Sequence, residues 1–137
     1  MSMPKSLVIV VFLSLVPVLN YVQASGQTSE LNETMKKVGF SYKQFMNATT
    51  QEDAILALAS LESYLIRSQQ IGFRPELETQ SQQGLEKVLS HVAILKALVE
   101  ENKLDQAQSD ALHIDELRKE YHKLHEPPSF WKLLFGK

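Results

Sequence analysis

The chain has no cysteine, one tryptophan, five glycines, five prolines, and no excess of basic charge. Without cysteine there is no disulfide framework, no thiolate metal site and no cysteine-borne attachment of a cofactor. With so little glycine there is no glycine-rich phosphate loop. No Ser-His-Asp arrangement or paired-histidine metal motif appears either, so the sequence gives no support for an enzyme. Fourteen basic residues face sixteen acidic ones, a formal net charge of −2. That balance excludes nucleic-acid binding through phosphates, which requires a basic stripe. No stretch alternates with a period of two, which excludes strands.

The one sustained apolar run, residues 7–19, follows Lys5 and is interrupted by Ser14 and Pro17. It is too short for a membrane span and gives way at once to polar sequence. Val22-Gln23-Ala24 then offers the small or apolar residues that a signal peptidase reads. Residues 1–24 therefore read as a secretory signal cleaved after Ala24, and export of a cysteine-free chain points to a bacterial periplasm. Residues 25–128 form the expected domain, and residues 129–137 form an apolar tail.

Four helical stretches fill that domain. The first, about residues 29–47, places Leu31, Met35, Val38, Tyr42 and Phe45 at alternating spacings of four and three, the seam of a bundle helix. Thr50 followed by Asp53 is an N-cap signal for the second, whose seam is Ala54, Leu58, Leu61 and Leu65. Gly72 and Pro75 stop it. The third begins between Pro75 and Gly84 and carries Leu85, Val88, Val92, Leu95 and Val99, with Asn102 as a left-handed C-cap. The fourth continues through Leu104, Ala107, Ala111, Ile114, Arg118 and Tyr121 until Pro127-Pro128 closes it. Short connections between helices of similar length imply an all-α, antiparallel up-down-up-down four-helix bundle.

In that topology the first helix begins where the fourth ends, so Met35 and His122 share a pole. A thioether facing an imidazole is an axial ligand pair for haem iron. Other pairs fit less well. Met46 lies about 16 Å further along the first helix, level with Ala111. His113, the closest histidine there, is rotated by about 180° from His122. His91 has no methionine at its level. His125, one turn past His122, is the rival donor. Leu31, Val38, Leu85 and Leu124 are candidate walls for the ring.

The run Asn102-Lys103-Leu104-Asp105-Gln106-Ala107-Gln108, then Leu117-Arg118-Lys119-Glu120-Tyr121-His122, resembles the soluble cytochrome b562 family. That family's last helix ends in Arg-x-x-Tyr-His. Leu31-Asn32-Glu33-Thr34-Met35, followed by Val38, Tyr42 and Phe45, is similar to its first helix. The resemblance implies Met35 and His122 as axial ligands of one non-covalent b-type haem per chain. It also implies a haem-edge contact for Arg118, where some relatives carry a cysteine that attaches the cofactor; an ordinary ion pair with Asp115 or Glu120 is the alternative. Leu85, a wall residue, stands where the family commonly has phenylalanine. The connection over residues 73–84 is shorter than the family's usual one.

The expected protein is thus a monomeric periplasmic electron carrier serving redox proteins of that compartment, with no open iron position for substrate. Its tail, Ser129-Phe130-Trp131-Lys132-Leu133-Leu134-Phe135-Gly136-Lys137, could fold back, cap the haem pole, or meet a membrane surface or partner. The reading from another class is a cofactor-free periplasmic adaptor that acts through this tail.

Overall fold

The computed structural model describes residues 18–125. Most of the expected signal peptide, the Pro127-Pro128 stop and the apolar tail lie outside the described residues, as do the side chains of His122, Leu124 and His125. The described backbone forms α1 (Val18–Met46), α2 (Gln51–Ile71), α3 (Glu78–Glu100), α4 (Leu104–Asp110) and α5 (Leu112–His125). Collinear α4 and α5 make up the fourth arm, and the whole is an all-α, up-down-up-down four-helix bundle with no strand among the described residues.

Each helix boundary has a local cause. Thr50 sits in extended backbone and its hydroxyl accepts from the Asp53 N–H at 3.1 Å, satisfying one of the free donors of α2. Gly72, at φ +81°, ends α2 by donating its N–H to Ser68 O. Only six residues then separate α2 from α3. The Glu78 carboxylate closes this short connection by accepting from the Phe73 N–H at 2.6 Å. At the other end of α3, Asn102 takes φ +61°. Its N–H reaches Val99 O, and the Lys103 N–H reaches Leu98 O at 2.9 Å. These are the two bonds of a Schellman C-cap.

Two expectations about the helices are corrected. The first helix was expected from about residue 29, but α1 starts at Val18 and runs unbroken past Ala24. Nothing over residues 18–29 opposes helix more than the single Gly26, which costs only about 1 kcal/mol. The fourth helix, expected as continuous, breaks at Ala111. There the Ile114 N–H turns to Ala111 O at 3.0 Å and leaves Asp110 O free. That carbonyl accepts from His91 Nε2–H at 2.9 Å, and the Tyr42 hydroxyl donates to Ala111 O at 3.1 Å. Side chains inserted into a helix ladder divert its hydrogen bonds.

The core is filled by Phe45 from α1, Ala54, Leu58, Leu61 and Leu65 from α2, Leu85, Val92, Leu95 and Val99 from α3, and Ala107, Ala111 and Ile114 from the fourth arm. The seams expected on α2 and α3 are the buried ones. On α5 the seam passes through Leu117 instead of Arg118, since an exposed guanidinium keeps its hydration while Leu117 buries its side chain. Large side chains concentrate toward one pole, which Gln108 and Gln51 close. Gln108 Nε2 lies 2.8–3.3 Å from the carbonyls of Phe45, Met46 and Ala48 at the end of α1. Gln51 Nε2 donates to Val99 O at 2.8 Å at the end of α3.

Candidate functional site

The opposite pole is built differently. Its level can be followed around the bundle through pairs of neighbours. Glu30 pairs with Arg67, and Met35 meets Ser68, joining α1 to α2. Gln82 donates to Gln69 O at 3.1 Å, joining α2 to α3. The Tyr121 ring lies on Gly84, joining α3 to α5. His122 follows Tyr121 in α5, so its backbone stands at the same pole as Met35.

Thr34, Ser68, Ser81 and Gly84 are buried at this pole beside Leu65, Leu85 and Leu117, whereas the other half buries Phe45 with leucines, valines and the alanines 54, 57, 107 and 111. The apolar stripe of α1 is correspondingly undercovered. Leu31, Val38 and Tyr42 are only half-buried, and Met35 is 37 % exposed. A row of apolar side chains left half in water, beside buried hydroxyls and a glycine, is a surface that gains by apolar cover.

Met35 has a defined neighbour that sequence reasoning missed. The Ser68 hydroxyl lies 2.9 Å from Tyr64 O and 3.3 Å from Met35 Sδ, so its single proton is shared between them. A thioether sulfur has two lone pairs, and this contact engages one. The only trace of Ser68 in the sequence is its position three residues after Leu65, where the seam of α2 would otherwise place a large apolar residue.

Other expected residues are placed as follows. Leu85 is buried on α3, one residue after Gly84. Arg118 is exposed and paired with Asp115, its Nε and Nη2 lying 3.0 and 2.9 Å from Asp115 Oδ1. Lys119 adds a contact at 2.7 Å to Asp115 Oδ2. The Lys119 and Arg118 hydrogen bonds hold the Asp115 carboxyl below the usual carboxylate range. Burial, and then the Asp115 charge, raise the Tyr42 phenol above its ordinary value, so it stays a hydrogen-bond donor. His113 is exposed beside Glu116, with its ring edge-to-face with that of His91, and Met46 packs half-buried against the core at the closed pole.

Residues 30–126 match the family model for cytochrome b562. The chain belongs to the cytochrome b562 family. This is a family of haem-binding, non-enzymatic electron carriers built as four-helix bundles, and its cofactor is a b-type haem. No curated protein matches the chain. The matched span of this cytochrome b562 relative begins just before the Thr34-Met35 turn of α1 and ends after His122, so it includes both expected ligand positions. Among the described residues, no helix is long and apolar enough to cross a membrane.

The residues present fit a flat apolar ring. A thioether stands half-exposed at the edge of the undercovered stripe, beside the buried hydroxyls of Thr34, Ser68 and Ser81. Leu65 and Leu85 supply buried apolar surface nearby.

Proposed function

We propose that this chain is a periplasmic carrier of single electrons that binds one b-type haem non-covalently, with Met35 and His122 as axial ligands. The observation that supports this most is the undercovered stripe Leu31-Met35-Val38-Tyr42 at a pole lined by Thr34, Ser68, Ser81 and Gly84. Burying such a stripe against a ring is favourable by about 25 cal/mol per Å² of apolar surface removed from water.

The haem supplies the one-electron iron couple when bound. The protein's residues supply the rest. Met35 gives a soft donor, and together with an imidazole it favours the reduced state and raises the potential. Ser68 fixes the thioether and leaves one sulfur lone pair unengaged. Leu85, with Val38 and Leu31, walls the ring and excludes water. Arg118, exposed one turn before His122, is the residue placed to meet a propionate at the edge, in exchange for its bond to Asp115. With no cysteine in the chain, attachment is non-covalent.

The levels of the two ligands are compatible. Met35 precedes Tyr42 by seven residues, about 10 Å of helix, and His122 follows Ala111 by eleven, about 16 Å. Tyr42 and Ala111 are in contact, so the ligand backbones differ in level by about one turn.

Held by both Met35 and His122, a haem would offer no position to a substrate and would supply electron transfer alone. Export is supported by Lys5, the apolar run 7–19 and Val22-Gln23-Ala24; the mature chain then begins at residue 25 and meets its redox partners as a monomer. The decisive experiment is haem titration of the purified chain. A sharp low-spin spectrum at one haem per chain is expected, and Met35→Ala and His122→Ala should each abolish it. A low-spin spectrum that survives both substitutions rejects the ligands. No haem uptake rejects the function and favours the cofactor-free adaptor.

A further inference from the structure

We infer that His91 of α3 and His113 of α5 form a divalent-metal site, separate from the haem pole, that takes zinc-like ions. The two rings lie in a groove of about 510 Å³ whose other lining residues include Glu86, Ile94 and Leu117. Their centroids are 5.1 Å apart, with the planes at 63°. Zinc–imidazole bonds are about 2.0 Å long, and a ring nitrogen is about 1.1 Å from its centroid. Two imidazoles at a tetrahedral angle therefore have centroids about 5 Å apart. The observed spacing is compatible with two imidazoles on one tetrahedral ion.

The outer contacts of the two rings point the same way. A histidine that binds a metal donates its other ring N–H to a carbonyl or carboxylate, which fixes its tautomer and orientation. Here His91 Nε2 lies 2.9 Å from Asp110 O, a group that can only accept, so Nε2 carries the proton and Nδ1 is left for a metal. His113 Nδ1 lies 3.3 Å from Glu116 Oε2, which leaves Nε2. Each imidazole thus has one nitrogen held by an oxygen acceptor and the other available.

Among the described residues, no cluster of three or more His, Cys, Asp or Glu side chains stands together to hold a metal. Water completes the coordination, and binding is of the weaker, exchangeable kind. The ion would tie α3 to α5 beside the break at Ala111. His113 is nine residues from His122, about 13 Å along the helix, so the site is independent of the haem ligands.

The test is calorimetric titration of zinc chloride into the full-length chain, purified without a histidine tag. One ion per chain is expected to bind. His113→Ala, at a side chain 57 % exposed and therefore harmless to folding, should weaken binding at least tenfold. Glu116→Ala should weaken it about tenfold while leaving both ligands in place. Zinc should also raise the melting temperature of the parent chain and not that of His113→Ala. Undiminished zinc binding by His113→Ala, or no binding by the parent chain at millimolar zinc, overturns the site and leaves the rings as an edge-to-face pair.

Discussion

Gly84 is the residue on which the packing of the Met35 pole turns. It lies inside α3, where glycine costs about 1 kcal/mol relative to alanine. A Cβ placed there would stand 2.7 Å from Tyr121 Cδ1 and 2.9 Å from Cγ, closer than real contacts allow. The ring is also held at its outer end, where Lys87 Nζ donates to the Tyr121 hydroxyl at 3.3 Å. Because Cγ lies close to the backbone, the ring cannot swing clear cheaply. Gly84→Ala should therefore destabilise the fold by about 1–2 kcal/mol, an overpacking cost larger than the propensity gain. In a Tyr121→Ala background the same change should stabilise by about 1 kcal/mol, because only the propensity gain is left. Urea denaturation of the four proteins in this cycle measures both signs; a Gly84→Ala effect that is the same in both backgrounds would refute the contact. Met35 and Tyr121 were legible from spacing and from the family resemblance. Ser68 and the glycine's role were not, because a missing side chain is informative only when the neighbour that fills its place is known.

At the scale of elements, α2 and the end of α3 could be read almost to the residue, whereas the start of α3, which has no side-chain cap, was bounded only between Pro75 and Gly84. Their signals are local: a Thr-x-x-Asp cap, a glycine stop, an asparagine free to adopt positive φ. The break between α4 and α5 could not, because Asp110-Ala111-Leu112 contains no residue that opposes helix. Its causes, Tyr42 and His91, are 69 and 19 residues away in sequence. For the same reason Leu117 was passed over on the seam in favour of Arg118. The closed pole depends on similarly distant contacts. Gln108 has two amide hydrogens to offer to the carbonyls of Phe45, Met46 and Ala48 at and just past the end of α1, of which Phe45 O also accepts from the Ala48 N–H. Gln108→Ala should cost about 1–2 kcal/mol, one or two net hydrogen bonds with carbonyls left partly unpaired. It should leave the haem spectrum unchanged, since the amide is at the pole remote from Met35. Thermal melts and haem titration of this variant check the two halves separately; an altered spectrum would show that the poles are coupled.

The molecule as a whole has two unlike ends, and the difference predicts where its stability resides. One end is filled by Phe45, Leu58, Leu95 and Val99 and sealed by glutamine amides. The other leaves an apolar stripe half-covered. That the chain is an up-down bundle was readable because the fold follows from helix lengths and short connections alone. That an apolar stripe stays half-covered at one pole was not, because it depends on which faces meet. Local opening is easiest where buried apolar contacts are fewest. In the haem-free chain, amides of residues 80–85 and 117–121 should therefore exchange with deuterium at least tenfold faster than those of residues 57–61 and 95–99. Haem at a hundred times its dissociation constant stabilises by about 2.7 kcal/mol every state that holds it. Openings that release haem should then become about a hundredfold rarer, and exchange at the open pole should slow by that factor. The turns at the closed pole, residues 47–50 and 101–104, fray without disturbing the ring, so their exchange should not change. Mass-spectrometric exchange with and without haem distinguishes the possibilities. Slowing confined to the closed pole would move the haem to the wrong end of the bundle. Equal slowing everywhere would mean that the pole does not open on its own, and that its sparse packing costs the protein nothing.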